Sequence, residues 1–235
     1  MLSHTSAAVL HGLPVDARAL NRVTVTKPGT TGGRVAKYLH RYRVPLPAED
    51  VELVGGLVRT TLARTIIDLG RNGELGFAVA AADHALRGGL STDDLEAQLD
   101  ASGRRFGVAG ARAMLRLADA RSDSAGESLS RVALWRLGIP PDELQFEVTV
   151  GGRCYRSDFA WLQAGVLGEF DGKVKYDELL RPGETAADVV MREKRREADL
   201  RAADWWVVRW GYAEVMHPER LERLVRPALN RRAAR

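Results

Sequence analysis

The sequence predicts an α/β protein of the α+β kind: a smaller α+β N-terminal part, a run of helices, and a C-terminal mixed sheet flanked by helices. Three observations predict it. Short alternating stretches lie within residues 21–59, and apolar and alanine residues at helical spacing fill residues 75–118. From Ser124 the patterns run helix, strand, strand, strand, helix, strand, helix, an order that calls for a mixed sheet. The expected divisions are 1–70, 71–122 and 123–235.

The N-terminal elements follow from local chemistry. Ser6–His11 reads as a short helix stopped by Gly12 and Pro14. Asn21–Lys27, NRVTVTK, alternates apolar and polar residues as a strand does. After the turn-rich PGTTGG, Arg34–Val44 is expected to be one further strand. Glu52–Arg59 places Gly55-Gly56 between apolar pairs and reads as a hairpin. Thr60–Leu69, TTLARTIIDL, is a helix beginning near a threonine cap. Helices are then expected at Leu75–Leu86, Ser91–Leu99 and Ala109–Ala118, the second opened by a capping serine and two acids. They read as a link or brace between the two ends of the chain.

In the C-terminal part, Ser124–Leu137 is an amphipathic helix ended by Gly138 and Pro140-Pro141. Leu144–Val150 is a strand. Arg153–Trp161 and Val166–Gly172 form a hairpin closed by the loop Leu162–Gly165. Asp188–Ala203 is a long basic helix, Trp205–Tyr212 a strand and Pro218–Arg231 a last basic helix. The hairpin carries the chemistry. If Trp161 and Val166 close it, Asp158 stands opposite Glu169 and Arg156 opposite Asp171, all on one face. Directly opposed like charges are destabilising, so three acids there ask for a cation. A divalent metal would supply one, and so would arginines.

Bulk composition narrows the class. The 235 residues are 45% hydrophobic and 28% charged, ordinary for a globular protein large enough to bury a sizeable core. No apolar run approaches the roughly 18 residues of a membrane span. No secretory signal is evident at the start, and a single cysteine, Cys154, excludes an internal disulfide or a multi-cysteine zinc site. The expected setting is cytoplasmic, without a membrane partner. Net charge is +4, with 35 bases against 31 acids, which says little about nucleic acid by itself.

With these residues in place, Ser124–Tyr212 resembles the Vsr-like, PD-(D/E)XK endonuclease-fold family, a restriction-endonuclease-like fold. The resemblance rests on Glu127 in the first helix, Asp158 in SDFAW, and Glu169-Phe170-Asp171-Gly172. Glu193, Arg196 and Leu200 on the long helix and the Val-Val-Arg-Trp strand complete it. It implies a DNA endonuclease whose Asp158 and Glu169 hold Mg²⁺ (or Mn²⁺), with Glu127 contributing directly or through water. Magnesium favours carboxylate oxygen and can activate a water against a phosphodiester. The sequence departs from the pattern in two places: Asp171 stands where the family's lysine is usual, and Lys175 where many relatives have histidine. Lys175, or Lys173 instead, would then orient water or stabilise the phosphorane. The competing reading is an ion network in which Arg156, Arg192, Arg195 or Arg196 neutralise the acids.

LSHTSAAVLHGL, VTVTKP and TTLARTIIDL resemble a second family, the AbiEi antitoxins, in the part that follows their winged helix-turn-helix. The chain as given starts just ahead of the Ser-His motif, so that DNA-reading module is expected to be missing. This resemblance implies a non-catalytic, antitoxin-like regulator of a type IV toxin–antitoxin system, with a cognate toxin as partner. Under either resemblance DNA is the expected ligand. Lys173, Arg192, Arg195, Arg196 and Arg209 are the candidates for its backbone, extended by Arg220, Arg223 and Arg226. Glu193, Glu197 and Asp199 interleave with them, and the alternative is a solvated helix laced with ion pairs. Trp205, Trp206 and Trp210 are expected in packing, and His4 and His11 in local caps or packing.

Overall fold

The computed structural model describes residues 1–172 and 185–231, and the chain divides into two compact units, Met1–Ser128 and Leu129–Arg235. The α+β class holds. Among the described residues no helix is long and apolar enough to cross a membrane.

The first unit opens with α1 (His4–Leu10), followed by a 3₁₀ turn and strands β1 (Val23–Pro28), β2 (Arg34–Val35) and β3 (Leu39–Val44). The single strand expected over Arg34–Val44 is two. Residues 36–38 turn the chain, so β2 lies antiparallel on β3 while β1 pairs with β3 in parallel. The hairpin β4 (Val51–Val54) and β5 (Leu57–Thr60) turns through Gly55 and Gly56, both at positive φ of 59° and 78°. Two successive residues in the left-handed region are what a two-residue hairpin turn requires, and glycine adopts it without a Cβ penalty.

Helices α2 (Leu62–Asn72), α3 (Leu75–Arg87), α4 (Thr92–Ala101) and α5 (Val108–Leu117) complete this unit. Thr61 occupies the cap position of α2 without a side-chain cap bond, whereas Ser91 caps α4 by accepting the Asp94 N–H at 3.0 Å. The helices expected to link or brace the two ends pack with α2, which touches α3, α4 and α5. Gly70 makes the α2–α5 approach possible: a Cβ there would stand 2.9 Å from the Ala111 Cα. Their core is alanine-rich, with Ile66, Ile67, Val79, Leu95 and Met114 buried.

Helix α6 (Ala125–Arg136) leads into a four-stranded sheet of order β6-β7-β8-β9, comprising β6 (Glu143–Val150), β7 (Arg153–Trp161), β8 (Val166–Phe170) and β9 (Trp206–Trp210). The first two junctions are antiparallel and β8–β9 is parallel. The mixed sheet expected from element order is therefore present. Between β8 and β9 the chain passes through α7 (Ala186–Ala202), capped by Thr185 and Asp188 in a reciprocal box. A four-residue helix α8 (Tyr212–Val215), not foreseen, precedes α9 (Pro218–Leu229).

The two faces of this sheet are distinct. On one, Val148, Ala160 and Leu167 pack with Leu200 of α7. On the other, Phe159 stacks on Trp210 at 5.5 Å, and the Trp210 indole donates to Ser130 Oγ at 2.9 Å. Trp161 donates to the Ile139 carbonyl at 3.2 Å, and Trp205 lies 5.6 Å from Phe146. Trp206 is stacked under Arg231 at 3.8 Å. These four of the five tryptophans make packing contacts.

Candidate functional site

The hairpin register is the expected one. Trp161 pairs with Val166, Ala160 with Leu167 and Phe159 with Gly168, and the next step would set Asp158 opposite Glu169. There the ladder stops. Phe170 N–H donates to Asp158 Oδ2 at 2.8 Å, and Ser157 Oγ lies 3.3 Å from the Gly168 carbonyl. Side chains thus take over from backbone partners, and across β7 the Gln145–Asp158 pair is missing where Gln145 has φ +51°. The expected opposition of Arg156 to Asp171 is consequently not part of the sheet. Arg156 pairs with Glu147 on β6, and Asp171 bonds through its N–H to the Trp210 carbonyl at 2.7 Å.

Glu169 points to the α7 side, and arginines supply the cation there. Arg196 grips it with both terminal nitrogens, Nη1 lying 3.1 Å from Oε2 and Nη2 meeting Oε1. From β9, Arg209 Nε donates to Oε2 at 2.9 Å. Ser157 Oγ lies 3.1 Å from Oε1; with a single proton it serves either Glu169 or the Gly168 carbonyl at one time. Arg196 also donates to Glu193 at 3.1 Å, while Arg209 bonds Glu193 and Glu197. Two arginines and three glutamates form one network across a strand pair and a helix.

Local sequence explains the convergence. Glu193, Arg196 and Glu197 are spaced three and four apart, which aligns them on one face of α7. Arg209 lies two positions beyond Val207, which packs on the Leu200 side of the sheet, so it too faces α7. Burial by itself would push the Glu169 carboxyl up. The hydrogen bonds and charge of Arg196, with those of Arg209, outweigh it and hold the group below the usual carboxylate range. Arg196 is buried as well, yet its bonds to Glu169 raise it further.

Glu127 belongs to the first unit, where its carboxylate accepts the Asp123 N–H and the Ser124 hydroxyl, both at 2.8 Å, while Ser124 Oγ accepts the Glu127 N–H. These bonds cap the start of α6. Lys173 and Lys175 lie outside the described residues. Among the described residues no group of three or more His, Cys, Asp or Glu is placed to hold a metal ion. Arg195 is exposed on α7 and Arg192 half-buried, whereas the other two backbone candidates, Arg196 and Arg209, are committed to glutamates. Arg226 on α9 bonds Glu222 and the Leu137 carbonyl, leaving Arg220 and Arg223 exposed.

A second charged network is buried in the first unit and was not foreseen. Arg64 Nε donates to Asp68 Oδ2 at 3.0 Å and Nη1 to Asp50 Oδ2 at 2.6 Å, with Arg71 Nη1 3.4 Å from Asp68. The signal was present in TTLARTIIDLGR, where Arg64, Asp68 and Arg71 recur at helical spacing among apolar residues. Beside it, His4 stacks on Tyr42 at 3.7 Å, and His11 Nε2 meets the Thr60 carbonyl at 2.9 Å. Both histidines are packed, as expected.

Comparison with known proteins adds a family similarity over part of the chain. Two uncharacterized proteins of Mycobacterium tuberculosis, from strains CDC 1551 / Oshkosh and H37Rv, are each 31% identical over 168 residues. The alignment covers 65% of this chain and 62% of each relative, so the chain spans less than two thirds of the proteins it matches. No solved structure matches it. These comparisons give no support to the nuclease-fold resemblance of the C-terminal part. The family similarity lies in the first unit: residues 1–117 match the AbiEi antitoxin C-terminal domain.

Proposed function

We propose that the chain is a non-catalytic, antitoxin-like component of a toxin–antitoxin system, acting in the cytoplasm on DNA and countering a cognate toxin. The observation that carries this reading is the family match over residues 1–117. The geometry of the second unit favours it over hydrolysis. Magnesium needs carboxylate oxygens free to bind it alongside water, whereas both Glu169 oxygens already accept hydrogen bonds from arginine. Asp158 accepts a backbone N–H, and Glu127 caps its own helix. In this reading the Glu169 network holds α7 and β9 to the hairpin, and no step of phosphodiester cleavage runs through it.

The test has two arms. Co-expression with the product of the adjacent gene should relieve that product's growth arrest, and the purified chain should leave plasmid intact with Mg²⁺ or Mn²⁺. Absence of rescue removes the antitoxin reading. Metal-dependent nicking that disappears in Asp158→Ala would restore the endonuclease reading in its place.

A further inference from the structure

The β1–β3 sheet of the first unit holds a cluster of positive charge that no carboxylate among the described residues neutralises. Residues 17–48 contain seven lysines and arginines and no aspartate or glutamate. Register gathers four of these cations. Lys27 pairs with Arg43 and Val25 with Arg41 in the parallel ladder, and Arg34 pairs with Arg41 in the antiparallel one. Arg41 and Arg43 are two residues apart, so all four occupy the same face. Like charges directly opposed across strands destabilise a sheet. Among the described residues no ion pair joins any of the four to a carboxylate.

Two further features set this face apart from a merely solvated one. The Nε atoms of Arg41 and Arg43 are buried without a hydrogen-bond partner. Arg43 also lies against the glycine turn so closely that a Cβ on Gly29 would stand 2.8 Å from its Nε, so the turn makes room for the guanidinium. At the β2–β3 turn, Tyr38 is 67% exposed with the Lys37 ammonium 4.9 Å from its ring centre. An exposed ring beside a lysine, at the turn between the two strands that carry Arg34, Arg41 and Arg43, offers stacking for an unpaired base and cations for its backbone. The opposite face, of even-numbered residues in β1 and β3, is the buried one, with Thr24 and Thr26 against Ser3 and Ser6.

We propose that this sheet face binds single-stranded nucleic acid, with Lys27, Arg34, Arg41 and Arg43 on the phosphates and Tyr38 stacked on a base. The surface belongs to the first unit alone and does not depend on the toxin–antitoxin reading. Failure of growth rescue would leave it standing.

The test is fluorescence anisotropy of the full chain with a labelled 15-nucleotide DNA strand, the matching RNA strand and the DNA duplex, across a salt series. Four neutralised phosphates give a slope of log K against log salt of about −3 for a single strand, falling by about 0.7 per cation removed. Lys27→Gln/Arg34→Gln alters two exposed side chains and should cut strand affinity at least tenfold with the shallower slope. Tyr38→Ala should cost about tenfold with the slope unchanged. Arg104→Gln, exposed elsewhere on the unit, should bind as wild type. Melting curves matching wild type confirm that the variants are folded. Tight binding of the RNA strand alone identifies RNA as the ligand; equal binding of both strands identifies recognition by backbone and stacking. Absence of strand binding, a duplex bound more tightly than either strand, or variants indistinguishable from wild type would overturn the proposal.

Discussion

Arg196 of α7 holds Glu169 of β8 with both terminal nitrogens, and each side chain is about 15% exposed. Removing one partner of so enclosed a pair strands the other charge. Arg196→Ala or Glu169→Ala should therefore each destabilise the second unit by about 3 kcal/mol. Because both act on the same interaction, Glu169→Ala/Arg196→Ala should cost less than the sum of its single changes by about 1 kcal/mol or more. Urea unfolding of the four proteins measures this, and additive losses would show that the pair is not coupled.

The same pair sets a pH dependence. The Glu169 carboxyl is held below its ordinary 4.5 in the folded chain, with burial opposing and Arg196 and Arg209 prevailing. A depressed folded value means that the unfolded chain takes up the proton first as pH falls. The contribution is thus complete well above pH 4.5 and is lost progressively as pH drops through and below that value. Glu169→Gln has no such proton to bind. The gap between the urea midpoints of wild type and Glu169→Gln should narrow from pH 6 to pH 3. A constant gap would contradict the assignment.

The hairpin was legible because its two strands obey a period of two and its loop length leaves one simple register. The charge problem at Asp158 and Glu169 was legible for the same reason. Its solution was legible in part: Arg196 was among the arginines expected to neutralise the acids, whereas Arg209 on β9 meets Glu169 only once the β8–α7–β9 crossover is built. Alternation also misled beyond Phe159. It cannot register that Asp158 and Ser157 replace ladder partners, or that Gln145 turns left-handed. The break between β2 and β3 escaped because Ala36-Lys37-Tyr38 contains neither glycine nor proline. The Arg64–Asp68 pair had visible i,i+4 spacing, but that spacing is shared by solvated helix faces and does not announce burial.

Gly168 is where two tryptophans close over the sheet. A Cβ there would lie 2.5 Å from Trp210 Cη2 and 2.9 Å from Trp161 Cζ3. Both rings are buried, and each indole N–H is already bonded, to Ser130 and to Ile139. The rings cannot shift without breaking those bonds or opening the Phe159 stack. Gly168→Ala should cost about 1–3 kcal/mol by overpacking and alter the tryptophan emission of the folded chain. Unchanged stability and emission would mean that the rings repack freely.

His4 gives the first unit its own acid sensitivity. It is 4% exposed, stacked on Tyr42, with Nδ1 3.0 Å from Ser3 Oγ and Nε2 3.3 Å from Asn72 Nδ2. If Asn72 donates to Nε2, the neutral ring donates from Nδ1 to Ser3, and both nitrogens are satisfied without a charge. Burial lowers its pKa from 6.5 to about 4; Asp68 opposes this, while Arg64, Arg71 and His40 reinforce it. The unfolded chain binds a proton at about 6.5 and the folded chain does not until about 4. Stability is therefore complete above pH 6.5 and falls between 6.5 and 4, by about 3 kcal/mol in all. His40, lowered by its own burial and by Arg22, adds in the same sense. Urea midpoints at pH 7.5 and pH 5 should diverge strongly for wild type and much less for His4→Gln, which has nothing to titrate there. Ring resonances of His4 should stay at their neutral positions down to pH 5, and titration of that ring near 6.5 would refute the buried neutral histidine.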